Sequence, residues 1–223
     1  MAVMVPFTLA ALLLAAALPA GDPSAALSEA KKVVEIVHRL ERRYRQMGSF
    51  QLDFTQSYAS PVFGMEDEQQ QGTILARCPD RMRIDYVRPP GQYAVFDGNT
   101  WWLVEPDEQT VTRARRDSGQ GNPLLDLLAG STDLLRIFAA RPDTLPAPEG
   151  RVRLLLLPRE EREDIEDLVL EIDTRTGDLR RAEVVGPLGG RMIYVFGTPR
   201  AVSPPGDRNF QVTIPAGYLV LDG

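Results

Sequence analysis

Residues 82–107 read MRIDYVRPPGQYAVFDGNTWWLVEPD, and the period of their apolar side chains decides the fold class. Met82, Ile84 and Tyr86 alternate with Arg81, Arg83 and Asp85. The pattern breaks at Pro89-Pro90-Gly91, resumes over Tyr93–Phe96, turns at Asp97-Gly98 and runs again through Thr100–Glu105. Side chains two apart share one face of a strand, so each run has an apolar face and a wet one. Trp101 and Trp102, the chain's two tryptophans, sit side by side on one of these strands and point to opposite faces. Alternation alone does not say which of them faces inward.

The same period extends in both directions. Phe50, Leu52 and Phe54 alternate with Gln51, Asp53 and Thr55, while Ile74, Ala76 and Cys78 share one side of the next run. Further strands are expected at Gln109–Arg115, Val152–Leu157, Leu168–Asp173, Leu179–Val185, Met192–Phe196 and Phe210–Ile214. Pro106-Asp107, Thr176-Gly177-Asp178 and Gly189-Gly190 are the turn signals between them. Short, evenly spaced strands imply an antiparallel sandwich or a curved barrel.

Two stretches depart from that period. From Ser28 to Met47, Val33, Ile36, Val37, Leu40, Tyr44 and Met47 recur at helical spacing, with Ser28 as cap and Gly48 as stop. The second, NPLLDLLAGSTDLLRIFAA over Asn122–Ala140, opens with a proline suited to a first helical position. It places eight large apolar residues in two short helices split by Gly130. Leu124, Leu125, Leu127 and Leu128 cover more of the circumference than a surface helix needs. Such leucines either plug the end of a barrel or form the underside of a movable lid, and both readings set them against a concave sheet.

Residues 1–20 carry no charge and end in Leu18-Pro19-Ala20, which reads as a secretory leader cleaved after Ala20 or as late as Ala26. An uncleaved membrane anchor is the alternative, but Pro6 and Pro19 shorten its apolar core. The remaining residues, 21–223, fit one domain of about 200 residues. They carry the whole formal charge of −6, which argues against a nucleic-acid partner. Cys78 is the only cysteine, so no intramolecular disulfide forms, and none lies at the cleavage site to take a lipid anchor.

Catalytic groupings are scarce. His38 is the only histidine and falls on the charged side of the first helix, so no serine–histidine, thiol–histidine or histidine-based metal site can be built around it. Ser118 lacks the glycine two residues upstream that a nucleophile elbow requires, and Gly119 and Gly121 do not make a phosphate loop. The acidic run from Glu160 to Asp167 lacks calcium-loop spacing and reads as a solvated turn, while Arg113, Arg115 and Arg116 read as the outer face and end of a strand. No catalytic, cofactor or metal site is expected.

Phe50-x-x-x-Phe54-Thr55-Gln56, Gly72 opening a strand, Pro79-Asp80-Arg81-Met82-Arg83, Asp97-Gly98-x-Thr100-x-Trp102-x-x-x-Pro106, Asn122-Pro123-Leu124, and Phe210 with Pro215 and Gly217 together resemble the outer-membrane lipoprotein carrier family, LolA. The ordered match is densest from Phe50 to Pro106 and thins between Ala147 and Gly190. The resemblance implies a mainly β, single-domain, unclosed antiparallel β-barrel with an N-terminal helix and a short helical lid over a hydrophobic cavity. It implies a soluble, unlipidated, monomeric carrier in the periplasm. Such a carrier takes lipoproteins by their acyl chains from an inner-membrane ABC-transporter release complex and hands them to an outer-membrane receptor. Phe54, Ile74, Met82, Ile84 and Tyr86, each on its strand's apolar face, are then expected to bind the acyl chains together with Leu124, Leu127 and Leu128. The family often carries, just before the proline matched by Pro79, an arginine that holds the lid. Here that lid-control position is Cys78, a weak donor. Arg77 beside it should face the other way, and Arg83 lies on the next strand. A lipid-binding sensor domain of the same half-barrel type, and a hydrolase with an unrecognised site, are the alternatives.

Intact mass of the exported protein tests the leader. The expected mature N-terminus is Gly21 or close to it, without lipid; a retained leader or a diacylglycerol adduct contradicts the reading.

Overall fold

The alternation read from residues 82–107 continues through the structure as rows of side chains crossing five strands on one face. In this computed structural model, which describes residues 23–60, 64–65, 69–115 and 122–222, helix α1 (Pro23–Met47) precedes strands β1 (Ser49–Ser60), β2 (Gly64–Met65), β3 (Gln70–Arg77), β4 (Arg81–Arg88), β5 (Tyr93–Phe96), β6 (Thr100–Glu105) and β7 (Thr110–Arg115). Helices α2 (Pro123–Leu128) and α3 (Leu134–Ile137) follow. Then come β8 (Phe138–Pro142), β9 (Arg151–Pro158), β10 (Asp167–Asp173), β11 (Leu179–Val185), β12 (Arg191–Phe196), β13 (Arg200–Ala201) and β14 (Leu219–Asp222). The expected leader, Ser118, Gly119, Gly121 and Arg116 lie outside the described residues.

The strands form one sheet in the order β14-β7-β6-β5-β4-β3-β1-β12-β11-β10-β9-β8, with β2 and β13 also paired to β1. The order has two free ends, so the barrel is unclosed. Pairing is antiparallel except between β14 and β7, which run parallel. Cross-strand register stacks Phe50, Ala76, Met82, Phe96 and Trp101 in one row and Leu52, Ile74, Ile84, Ala94 and Leu103 in the next. Phe54, Gly72 and Tyr86 form a third row, in which the Phe54 and Tyr86 rings meet edge to face with centroids 5.6 Å apart. Beyond β1 the same face continues through Phe196, Tyr194, Ala182, Leu170 and Leu154. These rows belong to one hydrophobic cluster, joined by Val33, Val37, Leu40 and Tyr44 of α1.

Polar contacts fix α1 to the turn between β10 and β11. Arg39 donates to the carbonyls of Thr174 and Arg175, Arg43 pairs with the buried carboxylate of Asp178 at 2.8 Å, and the Tyr44 hydroxyl accepts the Leu179 N–H. The helix begins at Pro23, five residues before the expected Ser28 cap. His38 is exposed, as its place on the charged side implied.

Two expected elements are different. Residues Phe210–Ile214 are not a strand: a 3₁₀ turn at Asp207–Phe210 is followed by extended chain, and the pairing segment is β14. The alternation Phe210, Val212, Ile214 has no partner strand behind it. Phe210 is buried beneath the Arg77 guanidinium, Tyr93 donates to the Thr213 carbonyl, and Ile214 is exposed. This segment is a strap across the convex face, where Val95, Val104 and Val111 are also buried. The second short helix also stops earlier than Ala140. Phe138 pairs with Pro158 as the first residue of β8, because alternation of buried Phe138 with exposed Ala139 suits an edge strand and not a fourth helical turn. A short apolar run does not distinguish the two by itself.

Gly72 is the third residue of β3, at a shift of register with β4, and not its first. A Cβ there would lie 2.5 Å from the Asp85 carbonyl oxygen and 2.7 Å from the Phe54 ring. The approach of two strands over an aromatic side chain leaves room only for hydrogen. Gly72→Ala is expected to lower stability by roughly 1–3 kcal/mol, as overpacking does; an unchanged urea midpoint would contradict this packing.

Candidate functional site in the concave face

The concavity is filled by the protein's own short helices. Leu124, Leu127 and Leu128 of α2 and Leu134 of α3 are at most 1% exposed and share the cluster of Phe54, Ile74, Met82 and Ile84. Tyr86 packs against the same cluster from its rim, half-buried, and burial pushes its hydroxyl up to about 12. All eight residues expected at the apolar wall are therefore brought together. Sequence reasoning passed over Leu52, Phe96, Leu134, Phe138 and Phe196, which are equally buried in that cluster.

The two tryptophans divide as alternation requires. Trp101 faces the concavity, stacked on Phe96 at 4.9 Å between centroids, whereas Trp102 faces outward and donates from Nε1 to Asp97 Oδ2 at 2.9 Å. The Asp97 carboxylate also accepts the backbone N–H groups of Asn99 and Thr100, so it fixes the hairpin turn as well as the indole.

Local sequence explains why α2 and α3 form as such short pieces. Asn122 Oδ1 accepts the N–H groups of Leu124 and Leu125, with Pro123 in the first turn where its missing N–H costs nothing. The far end closes with the Gly130 N–H bonded to the Leu127 carbonyl and the Ser131 N–H bonded to the Asp126 carbonyl, Gly130 standing at φ +73. That pairing is a Schellman stop, and glycine is the residue that adopts its left-handed position without strain. Asp133 then caps α3 through the Arg136 N–H. Asn122 also hydrogen bonds Tyr194 on the sheet, so the start of α2 is tied to the barrel wall.

Three contacts tie the other end to the body. Glu41 of α1, buried, accepts the Leu134 N–H at 2.7 Å. Arg159 donates to the Leu135 carbonyl at 2.8 Å. Cys78 Sγ lies 3.4 Å from the Tyr44 carbonyl oxygen and 3.8 Å from that of Leu128, and a Cβ added to Gly130 would stand 3.2 Å from the sulfur. Cys78 thus occupies the junction between α1, β3 and the end of α2. Burial pushes its thiol up to about 11, so the sulfur there is a neutral, weak donor. Arg77 points the other way, to the Pro205 carbonyl and Asp207 on the convex side, and Arg83 pairs with Asp85, so neither reaches α2. Glu41 was missed from sequence. Its spacing, four after Val37 and three before Tyr44, puts it on the buried stripe of α1 and would have found it.

Among the described residues no group of three or more His, Cys, Asp or Glu side chains could hold a metal ion, and no helix is long and apolar enough to cross a membrane. The site's chemistry is apolar contact, with a few hydrogen bonds holding the short helices in place. Residues 45–213 match the family described as outer membrane lipoprotein carrier protein LolA. This chain belongs to the LolA family. An outer-membrane lipoprotein carrier protein of Methylibium petroleiphilum is 32% identical over 169 residues, covering 75% of this chain and 80% of that one. One from Dechloromonas aromatica is 27% identical over 185 residues, covering 83% and 86%. Among solved structures, a DUF1329 family protein from Desulfovibrio piger superposes with a TM-score of 0.51 at 12% identity over 82% of this chain and 97% of its own. MucB superposes with a TM-score of 0.50 at 20% identity, covering 86% of this chain and 66% of that protein. At those identities the likeness is one of fold: the LolA-type open half-barrel is shared beyond the carriers.

Glu41 gives the site a measurable pH signature. Burial pushes its carboxyl above the ordinary 4.5; the Leu134 N–H pulls against this, Asp133 adds to it, and His38 and Arg45 oppose it. A carboxyl with a raised folded-state pKa contributes stability below the unfolded value, and that contribution is lost as pH rises through the raised value. Glu41→Gln keeps an acceptor but does not titrate. From pH 4.5 upward, urea midpoints should fall for the native protein relative to Glu41→Gln. Glu41→Ala should cost about 1–3 kcal/mol by stranding the Leu134 N–H. Parallel pH profiles for native and Glu41→Gln proteins would contradict this assignment.

Proposed function

We propose that this protein is a periplasmic carrier that binds the acyl chains of lipoproteins on its concave face and shuttles them from an inner-membrane ABC-transporter release complex to an outer-membrane receptor. The observation that supports the reading is that the concavity is filled by two short helices and not by the sheet itself. The covering leucines come from two helices of six and four residues, each with its own N-terminal cap and tied to the barrel by a handful of hydrogen bonds. A permanent core needs no such articulation.

The energetics suit exchange. Uncovering one fully buried leucine costs about 1.5–3 kcal/mol, so an empty open form is several kcal/mol above the closed one. Each acyl methylene buried in place of a leucine returns about 0.8 kcal/mol. Cargo therefore replaces the lid against the same apolar rows, and an adaptable wall of Ile, Met, Phe and Leu accepts chains without a fixed polar anchor. Phe54, Ile74, Met82, Ile84 and Tyr86 act as the acyl-binding wall, Leu124, Leu127 and Leu128 as the exchangeable cover, and Cys78 as a weak clasp at the lid's end.

Native mass spectrometry of protein isolated from its own periplasm should show a co-travelling lipoprotein. Substitution separates cover from core. Leu154→Ala, on β9 in the cluster, should cost the roughly 2–5 kcal/mol of a buried cavity. Leu127→Ala should cost less in the loaded protein, where part of its burial is already given up, and should retain cargo longer, because the closed cover that competes with cargo is weakened. Equal stability losses with unchanged cargo retention would make the leucines a plug and not a lid.

A further inference from the structure

The concave face contains one polar group that its apolar packing does not explain. Trp101 Nε1 is buried and has no hydrogen-bond partner among the described residues. The indole stacks on Phe96 and packs against the apolar cluster that holds Met82, Ile84 and the α2 leucines. Its neighbour on the strand shows the usual arrangement: Trp102 Nε1 donates to Asp97 at 2.9 Å. A buried donor left unpaired bears the full loss of its hydration, and native proteins rarely retain one without a use. A phenylalanine or leucine at this position would offer apolar surface without that loss. Cross-strand neighbours of Trp101 are Phe96 and Ala114, and Leu103 follows it on the same face, so nothing on those positions offers an acceptor side chain.

We propose that the Trp101 indole N–H recognises a carbonyl oxygen at the head of a cargo acyl chain, an ester or amide that enters the concavity once α2 and α3 move aside. The inference rests on the acyl-binding reading above and adds the chemical class of the polar group that the site selects. Acyl chains carry their only acceptors at the ester or amide head, and an N–H in an otherwise apolar wall is satisfied when that head lies beside it. An alkyl ether of the same length buries the same methylenes but offers a weaker, differently placed acceptor. Trp101 therefore fixes how far the chains slide along the face, while the apolar rows supply the bulk of the affinity.

The test compares a diacylglyceryl-cysteine peptide with its dialkyl ether counterpart of equal chain length. Native protein should bind the ester peptide about 2–10-fold more tightly, the worth of one hydrogen bond. Trp101→Phe should bind the two peptides equally, with any fall in urea midpoint limited to the packing lost with the larger ring, because no hydrogen bond of the empty protein is lost. In two-dimensional NMR the Trp101 indole N–H signal should move downfield with the ester peptide and not with the ether, while that of Trp102 stays in place. Equal binding of both peptides by native protein, with no ester-specific shift at Trp101, overturns the inference and leaves the carrier reading standing. Binding of neither peptide removes the carrier reading, and this inference with it.

Discussion

An open sheet curved about an apolar face must cover that face, and the rest of this molecule answers to that requirement. The rows that begin at Phe50, Leu52 and Phe54 cross β3, β4 and β5 in register, so every inward position is committed at once. A slip of one residue would turn the whole set to water. α1 covers part of the face permanently, fixed by Arg39, Arg43 and Tyr44 to the β10–β11 turn. α2 and α3 cover the remainder, and they differ from α1 in being short, separately capped and lightly tied.

A few polar ties hold α2 and α3 against the body. Where the family often has an arginine, Cys78 supplies a neutral thiol between α1 and the end of α2. A buried carboxylate, Glu41, and a surface arginine, Arg159, hold α3 instead. The carboxyl of Glu41 at 2.7 Å is a closer tie than a thiol at 3.8 Å, so the start of α3 is held more firmly than the end of α2. On the convex side Val95, Val104 and Val111 are buried beside the strap through Phe210, while β14 extends the sheet edge at β7.

Much of this was legible in the residues because strand alternation reports directly on burial. Phe54, Ile74, Met82 and Ile84 were placed by period alone, and Pro123 and Gly130 announced the start and stop of α2. The strap was not legible: Phe210, Val212 and Ile214 alternate like a strand, and only the tertiary contact of Phe210 with Arg77 shows that no partner strand pairs with them there. Phe138 was read as helical because a run of apolar residues carries no register of its own. Glu41 escaped notice because a charged residue on an amphipathic helix is ordinarily assigned to solvent, and its partner, the Leu134 N–H, lies 93 residues away. The inward tryptophan could not be chosen from sequence, since both faces of β6 bury apolar neighbours.

The account stands on the claim that α2 and α3 leave the concave face when cargo enters it. Hydrogen exchange across Asn122–Ile137, measured with and without a diacylglyceryl-cysteine peptide, tests it most directly. The account predicts that protection at Leu127, Leu128 and Leu134 is lost on loading while β1, β3 and β4 stay protected. Binding of the peptide with protection in both helices unchanged would contradict it.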